Sequence, residues 1–509
     1  MDESKECNLK GEVRQLVKLA VSCGRKLQSP QTGFVHVSQE DGDDEHRDVI
    51  PIAENMLWVL ALLRTRTGDS IVEAKNLLDK LLFFQNLEVS KGEQNFPVYL
   101  HEYPYCRYRY QAVHLLMPLF WIVKDYQKVM EPSLSERVIK CVKGLLDHCM
   151  KLYREKQPPY YLALKMAAGV KGFGSLLGKT KMESTGEKWL EELRQQGEVV
   201  SWYCPSHLGE MLAALQVVYP DLYHSPWKDF WNHLSNTWHR NAYCYVGPAL
   251  QEQQHRYEPQ STLYDLYMGY WGGSFSYRSF VMHPYQLLGA LIQPLKQPLP
   301  EIKYPYVVTG EFQEQRWHAV HQPHYGMGVM QCHQPPPQPR LFHPVRIIWG
   351  DRTRTHSFIC QGDLLQNLDY KIDSPKGLDL MVDLSQNIDN KEHKKDYVIA
   401  FYVDKHQFLK KNVAGKAATA FQLGEMVELL DDQLGLCLTF CQEGGGEKSD
   451  VQFFGHLQPG NRPAQQGFRG SDRFAVFDEK IFLRVVHRTS PCRVTVRIGV
   501  GEGHFDECH

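Results

Sequence analysis

The amino-acid sequence predicts a two-part fold, a helical N-terminal part of about 300 residues followed by an all-β C-terminal part of about 200. Two changes along the chain predict it. Apolar side chains recur at helical spacing from residue 11 to 292, and at strand spacing beyond residue 306. Between them QPLKQPLPEIKYPY carries four prolines and no amphipathic period, the composition of a linker or a surface strap. The boundaries that follow are 1–292 for the helical part, 293–306 for the Pro-rich linker and 307–509 for the β part.

Each helix has its own signal. Leu16, Leu19, Ala20, Cys23 and Leu27 fall three and four residues apart, one face of a helix. ENMLWVLALLRTRT is apolar nearly all round, as in a helix packed on several sides. Ile71, Ala74, Leu78 and Leu81 repeat the pattern, and the apolar run Ala112–Val123 reads as a buried helix despite Pro118. LSERVIKCVKGLLDHCMKLYREK opens on Ser135 and Glu136, an imperfect capping box. Further helices are predicted at Tyr160–Gly169, Glu187–Gln196, Ser206–Val218, Trp227–His239, Thr262–Tyr270 and Tyr285–Ile292. Roughly ten to twelve helices with short connections favour antiparallel hairpins.

The second part reads as strands: YGMGVMQC, VRIIWG, HSFICQG, GLDLMVDL, YVIAFYVD, ATAFQLG, MVELLDD, GLCLTFCQ, IFLRVVHR and CRVTVRIGV. Gly, Pro, Asn and Asp turns separate them, as in DSPKG and QPGNRP. Many short strands with no helix between them argue for a large antiparallel sandwich. EDGDDE at 40–45 reads as a solvated loop.

Composition bounds the function. Of 509 residues 43% are hydrophobic and 23% charged, with a net charge of −2 and a pI near 6.9. No global field attracts nucleic acid. Thirteen cysteines without a CxxC pair point to a reducing compartment. The first residues, MDESKECNLKGEVRQ, lack an apolar signal core, and the longest apolar run is about half a membrane span. The expectation is a cytoplasmic protein with no transmembrane segment, and a signal-independent secretion route stays open. No P-loop, GxSxG, dinucleotide fingerprint or HExxH motif is present.

Helical hairpins, a proline strap and then a large sandwich make an uncommon order. RWHAVHQPHYGMGVMQC (Arg316–Cys332) looks like the opening of a sandwich domain, a His-bearing loop running into a first strand. FQLGEMVELLDDQLGLCLTF and IFLRVVHRTSPCRVTV look like its later strands. Together these resemble the toroid-plus-sandwich polysaccharide lyases, the heparinase II/III, alginate lyase and hyaluronate lyase groups. The resemblance implies an N-terminal α/α toroid of helical hairpins and a C-terminal antiparallel β-sandwich. It also implies β-elimination on a uronic-acid-containing acidic polysaccharide or oligosaccharide. That reaction needs a base beside the carbon α to the carboxylate, a group that neutralises the carboxylate, and an acid for the leaving oxygen.

Several residues fit those roles. Tyr264, Tyr267 and, nearly, Trp271 share a helical face, with Tyr270 beside them and glycines following, which suits a sugar platform with a phenolic base. Packing of an aromatic helix is the competing account. His207, at a helix start, is a candidate acid or base, against an ordinary capped or surface histidine. Arg107 and Arg109 interleave with Tyr103, Tyr105, Tyr108 and Tyr110. Arg forks bind carboxylate or sulfate and the rings stack on sugars, although the strip also suits plain packing. His318, His321, His324 and His333 lie near Cys332. His318, His321 and His324 have zinc-like spacing, but no Asp, Glu or second Cys completes a recognised ligand set, so no cofactor is expected; His321 is instead a candidate sandwich-side catalytic histidine by the resemblance. Two other readings compete with the lyase. One is a non-catalytic glycan- or partner-binding descendant of the fold, motivated by the thiols and the bare N-terminus. The other is a helical-toroid glycoside hydrolase using two carboxylates drawn from Glu102, Glu210, Glu258 and Asp265.

Overall fold

A computed structural model describes residues 3–40, 46–86, 94–156, 158–250, 254–255, 258–259, 263–271, 284–293, 299, 302–333, 342–351, 355–361, 367–384, 397–403, 409–443, 452–459, 479–486 and 492–501. Ten α-helices occupy the described N-terminal part: α1 (Glu3–Leu27), α2 (Ile52–Thr65), α3 (Gly68–Leu82), α4 (Gln111–Tyr126), α5 (Pro132–Glu155), α6 (Tyr160–Leu176), α7 (Thr180–Gln195), α8 (Pro205–Val218), α9 (Lys228–Asn236) and α10 (Leu263–Trp271). Three two-stranded ribbons interrupt them: β1 (Val37–Glu40) with β2 (His46–Val49), β3 (Trp238–His239) with β4 (Cys244–Tyr245), and β5 (Gln254–His255) with β6 (Glu258–Pro259). This part is therefore not purely helical, as the sequence had suggested.

Two kinds of helix build a ring. α2, α4, α6 and α8 are apolar on nearly every side, and most of their residues are buried. α3, α5 and α7 are amphipathic and bury one stripe. Packing follows that division. α2 packs on α4, α4 on α6, α6 on α8 and α8 on α10, while α3, α5 and α7 pack outside. A 3-10 helix at Pro284–Leu291 packs against α1, α2 and α10 and closes the circuit. The sequence predicted an α-helix there. Trp58 and Phe173 are fully buried in this core, each contributing about 2–3 kcal/mol by removal from water. α4 runs through Pro118 without breaking. α5 starts at Pro132 with Glu131 as its cap, so Ser135 lies inside the first turn, its N–H donating to the Glu131 carbonyl at 2.9 Å. The predicted helix Trp227–His239 ends at Asn236, because Trp238 and His239 pair as a strand.

Fifteen further strands follow among the described residues: β7 (Tyr306–Phe312), β8 (Gln315–His321), β9 (Tyr325–Met330), β10 (Val345–Gly350), β11 (Thr355–Gln361), β12 (Leu368–Ser374), β13 (Gly377–Asp383), β14 (Tyr397–Val403), β15 (Lys410–Val413), β16 (Ala420–Phe421), β17 (Met426–Leu430), β18 (Gly435–Glu443), β19 (Gln452–Pro459), β20 (Glu479–Val486) and β21 (Arg493–Gly501). They form a nine-stranded sheet in the order β16-β19-β20-β14-β11-β10-β9-β8-β7 and a six-stranded sheet in the order β12-β13-β21-β18-β17-β15. Every pairing is antiparallel. Phe401 on β14 meets Phe440 on β18 at 6.0 Å, and Trp349 on β10 donates to Asp431 after β17 at 2.6 Å, joining the sheets. The expected His-bearing loop at Arg316 is strand β8, and a further strand, β7, precedes it. Of the linker, residues 294–298 and 300–301 lie outside the described residues, as do 41–45 of the acidic run. No helix among the described residues is long and apolar enough to cross a membrane.

The sandwich meets the ring through β7–β9. Phe312 and Trp317 pack on Tyr203, with ring centroids 5.0 and 5.9 Å away. The histidines cross-bond: His239 of the ring part reaches the Gln322 carbonyl at 2.8 Å, and His321 of β8 reaches the Asn236 carbonyl at 2.8 Å. Their rings stack 5.6 Å apart.

Candidate functional site at one mouth of the helical ring

Three inner helices bring their N-terminal turns together. α4 contributes His114, α6 contributes Tyr161 and Lys165, and α8 contributes His207 and Glu210. Spacings of four residues on α6 and three on α8 place each pair on one face. Tyr108, just before α4, completes the group. Aligned helix N-termini carry partial positive charge and favour an anion in front of them.

Lys165 is the centre of the cluster. Its Nζ donates to Glu210 Oε2 at 2.5 Å and lies 3.1 Å from His114 Nδ1. The Lys165 side chain is 6% exposed, while Glu210 is 29% exposed and reaches the mouth. Burial pushes the Glu210 carboxyl up, but Lys165 and His114 outweigh it and hold it at about 2. Burial, reinforced by Lys165, lowers His114 to about 4. Burial likewise lowers His207 to about 4, so both imidazoles are neutral near pH 7.

Aromatic rings frame the imidazoles. Tyr161 stacks on His207 with centroids 3.9 Å apart and planes within 11°. Tyr108 stacks on His114 at 5.9 Å, and the two phenols hydrogen-bond each other. Burial raises both phenols, and the Glu210 charge raises them further. They are held protonated. His207 Nδ1 is buried with no hydrogen-bond partner among the described residues. The mouth thus holds a half-buried neutral imidazole beside protonated phenols and an ion pair.

Of the sequence-predicted residues, His207, Glu210 and Tyr108, the last from the strip around Arg107 and Arg109, lie in this cluster. Tyr264 is fully buried and donates to the Leu234 carbonyl at 2.8 Å. Tyr267 is fully buried in the same helix. Burial pushes both phenols far up, so neither is a reachable phenolate. The side chains of Tyr270 and Trp271 lie outside the described residues, as does that of Glu258. His321 is sealed in the domain interface, where burial and His239 lower it to about 3; it does not approach the mouth cluster. Arg109 donates to Glu155 at 3.0 Å and lies over the Tyr110 ring, with no contact to the cluster among those described. Arg107 is exposed. Glu102 accepts the Val98 and Tyr99 N–H groups at 3.1 and 3.2 Å, and Asp265 is buried in α10.

The histidine run does not gather. His318 and His321 sit three apart on one strand and so face opposite sides. His318 Nδ1 pairs with the Tyr370 hydroxyl at 2.6 Å, while His324 and His333 are exposed. No group of three or more His, Cys, Asp or Glu among the described residues is placed to hold a metal.

His114, Lys165 and Tyr161 escaped the sequence reading as a site. The available signal was Lys165 and His114, each inside an otherwise apolar stretch (Tyr161–Val170 and Ala112–Val123), since such positions are seldom charged unless paired.

No family profile matches the sequence, and no curated protein does. Solved structures do share its shape. Heparinase III is 8% identical with a TM-score of 0.50, over 90% of this chain and 78% of that one. Chondroitin AC lyase from Streptomyces coelicolor A3 is 8% identical with a TM-score of 0.46, over 97% and 80%. Heparan sulfate lyase from Pedobacter heparinus is 9% identical with a TM-score of 0.43, over 97% and 83%. The likeness to heparinase III rests on architecture, and on that ground the chain has the heparinase-like toroid-plus-sandwich fold of polysaccharide lyases.

Proposed function

We propose that this protein acts on a uronic-acid-containing acidic glycan at the ring mouth, by β-elimination. The reading is carried by one observation, the neutral, half-buried His207 stacked on the protonated Tyr161. In this reading the neutral imidazole of the half-buried His207 takes the proton α to the uronate carboxylate. Electrons flow to the carboxylate, the bond to the 4-linked oxygen breaks, and Tyr161 or Tyr108 donates a proton to that oxygen. Lys165 and the three helix N-termini supply the positive potential that stabilises the anionic intermediate. Glu210, held ionised at about 2, is unsuited to donate a proton, which disfavours the two-carboxylate hydrolase. We place the protein in the cytoplasm because Cys141, Cys149 and Cys360 are buried thiols outside any disulfide and burial raises Cys141 and Cys360 to about 12. Thiols of that kind suit a reducing compartment.

A second reading has its own support. Lys165 is committed to Glu210 and Arg109 to Glu155, which suits a glycan-binding descendant without turnover. Incubation with heparan sulfate, chondroitin sulfate, hyaluronan and alginate separates the readings. The lyase yields ultraviolet absorbance from an unsaturated uronate with at least one polymer. Binding without absorbance supports the descendant, and new reducing ends without absorbance support the hydrolase; either result overturns the lyase.

A further inference from the structure

At the other end of the ring lies a second cavity, of about 980 Å³, within the range of small-molecule sites. It opens where α1 crosses the C-terminal ends of α2 and α4, about 18 Å along α4 from His114 at 1.5 Å per residue. Val13, Val17 and Val21, four residues apart on α1, form one apolar wall. Arg14, Lys18, Arg64 and Arg66 also line it, against one carboxylate, Asp125.

Arg64 is held like a binding group. Its Nη1 donates to the Ile292 carbonyl at 2.9 Å, while Nε and Nη2 are buried with no partner among the described residues. Those two nitrogens form the side-on fork of a guanidinium, which matches the two oxygens of a carboxylate or phosphate. Left alone, buried donors on a cation carry a desolvation penalty. Arg66 is the second signal. It takes φ 58 at the C-terminal cap of α2, a conformation usually left to Gly or Asn, and its side chain hydrogen-bonds Tyr126 on the cavity wall. Backbone strain of this kind is retained where the surroundings demand the side chain.

We propose that this cavity binds a small amphiphile bearing one oxyanion, a carboxylate or phosphate, on an apolar body. Arg64 grips the oxyanion through Nε and Nη2, Arg66, Lys18 and Arg14 supply the surrounding positive charge, and the valine wall and Tyr126 cover the apolar body. Nothing in this depends on chemistry at the opposite mouth.

Calorimetric titration of the full chain tests it, with decanoate, decyl phosphate and inorganic phosphate as probes. One of the two amphiphiles gives a saturable single-site heat, and which one does so distinguishes an acyl carboxylate from a phosphate monoester. Inorganic phosphate, lacking the apolar body, binds about tenfold more weakly or less. Arg64→Lys keeps the charge but removes the fork and weakens binding about tenfold. Lys18→Glu, on the exposed side of α1, leaves the fold intact and weakens binding several-fold; it decides the matter alone if Arg64→Lys fails to fold. Absence of heat with both amphiphiles, or affinities unchanged in the folded variants, overturns the proposal.

Discussion

A lysine that is 6% exposed, held 2.5 Å from a carboxylate, sets the character of the ring mouth. Taking a cation out of water is costly unless its partner is well placed. Lys165→Met leaves Glu210 without its counter-charge. Because Glu210 is 29% exposed, water relieves part of the loss, so the destabilisation is about 2 kcal/mol rather than the larger cost of a fully buried pair. Urea unfolding of Lys165→Met, Glu210→Leu and the double variant checks this. The double variant recovers much of the loss if the pair acts as a unit. The same residues explain what was hidden in the sequence. Tyr264 and Tyr267 share a helical face as their spacing requires, but α10 is an inner-ring helix and residues 263–268 are all buried, so that face looks into the core. Lys165 reaches His114 and Glu210 across 51 and 45 residues of sequence, a convergence that spacing along the chain does not reveal.

At the scale of elements, the helices were legible because their apolar period is long and regular. The strands divide differently. Those with two buried neighbours, such as β10, β11 and β14, stand out in the sequence. β7, β12 and β15, at sheet edges, do not, and neither do β8 and β19 inside the nine-stranded sheet; each carries several polar residues, as with Lys410 and Lys411 on β15 or Gln315, Arg316 and His318 on β8, so the apolar alternation is diluted. Close helix packing yields a sharper prediction. A Cβ at Gly209, between His207 and Glu210 on α8, would collide with the backbone of Leu263 and Tyr264 on α10. Gly209→Ala therefore destabilises the ring by about 1–3 kcal/mol and displaces the α8 face of the mouth. Thermal unfolding together with the uronate assay reads both effects; an unchanged midpoint contradicts the packing.

Over the whole molecule, the order of elements carried the fold even at 8% identity to heparinase III, because layers of helices and sheets follow from periodicity rather than from particular residues. The two parts are joined by buried neutral imidazoles. Burial lowers His239 to about 4 and His321 to about 3, whereas in the unfolded chain each takes up a proton near pH 6.5. Below about pH 6.5 the unfolded state therefore binds more protons, and stability is lost progressively toward about pH 4. A thermal midpoint that falls steadily from about pH 7 to about pH 4.5, with a shallower slope in His239→Gln/His321→Gln, bears this out; a flat profile in the wild-type chain contradicts it.

The central claim is that the ring mouth is a reaction site with His207 as its base. The most direct measurement is the initial rate of ultraviolet absorbance on the most responsive uronate polymer, for wild type and for His207→Ala shown to be folded and to bind that polymer equally. The account predicts that the variant loses about 100- to 10,000-fold in rate. Equal rates in the two proteins would contradict it.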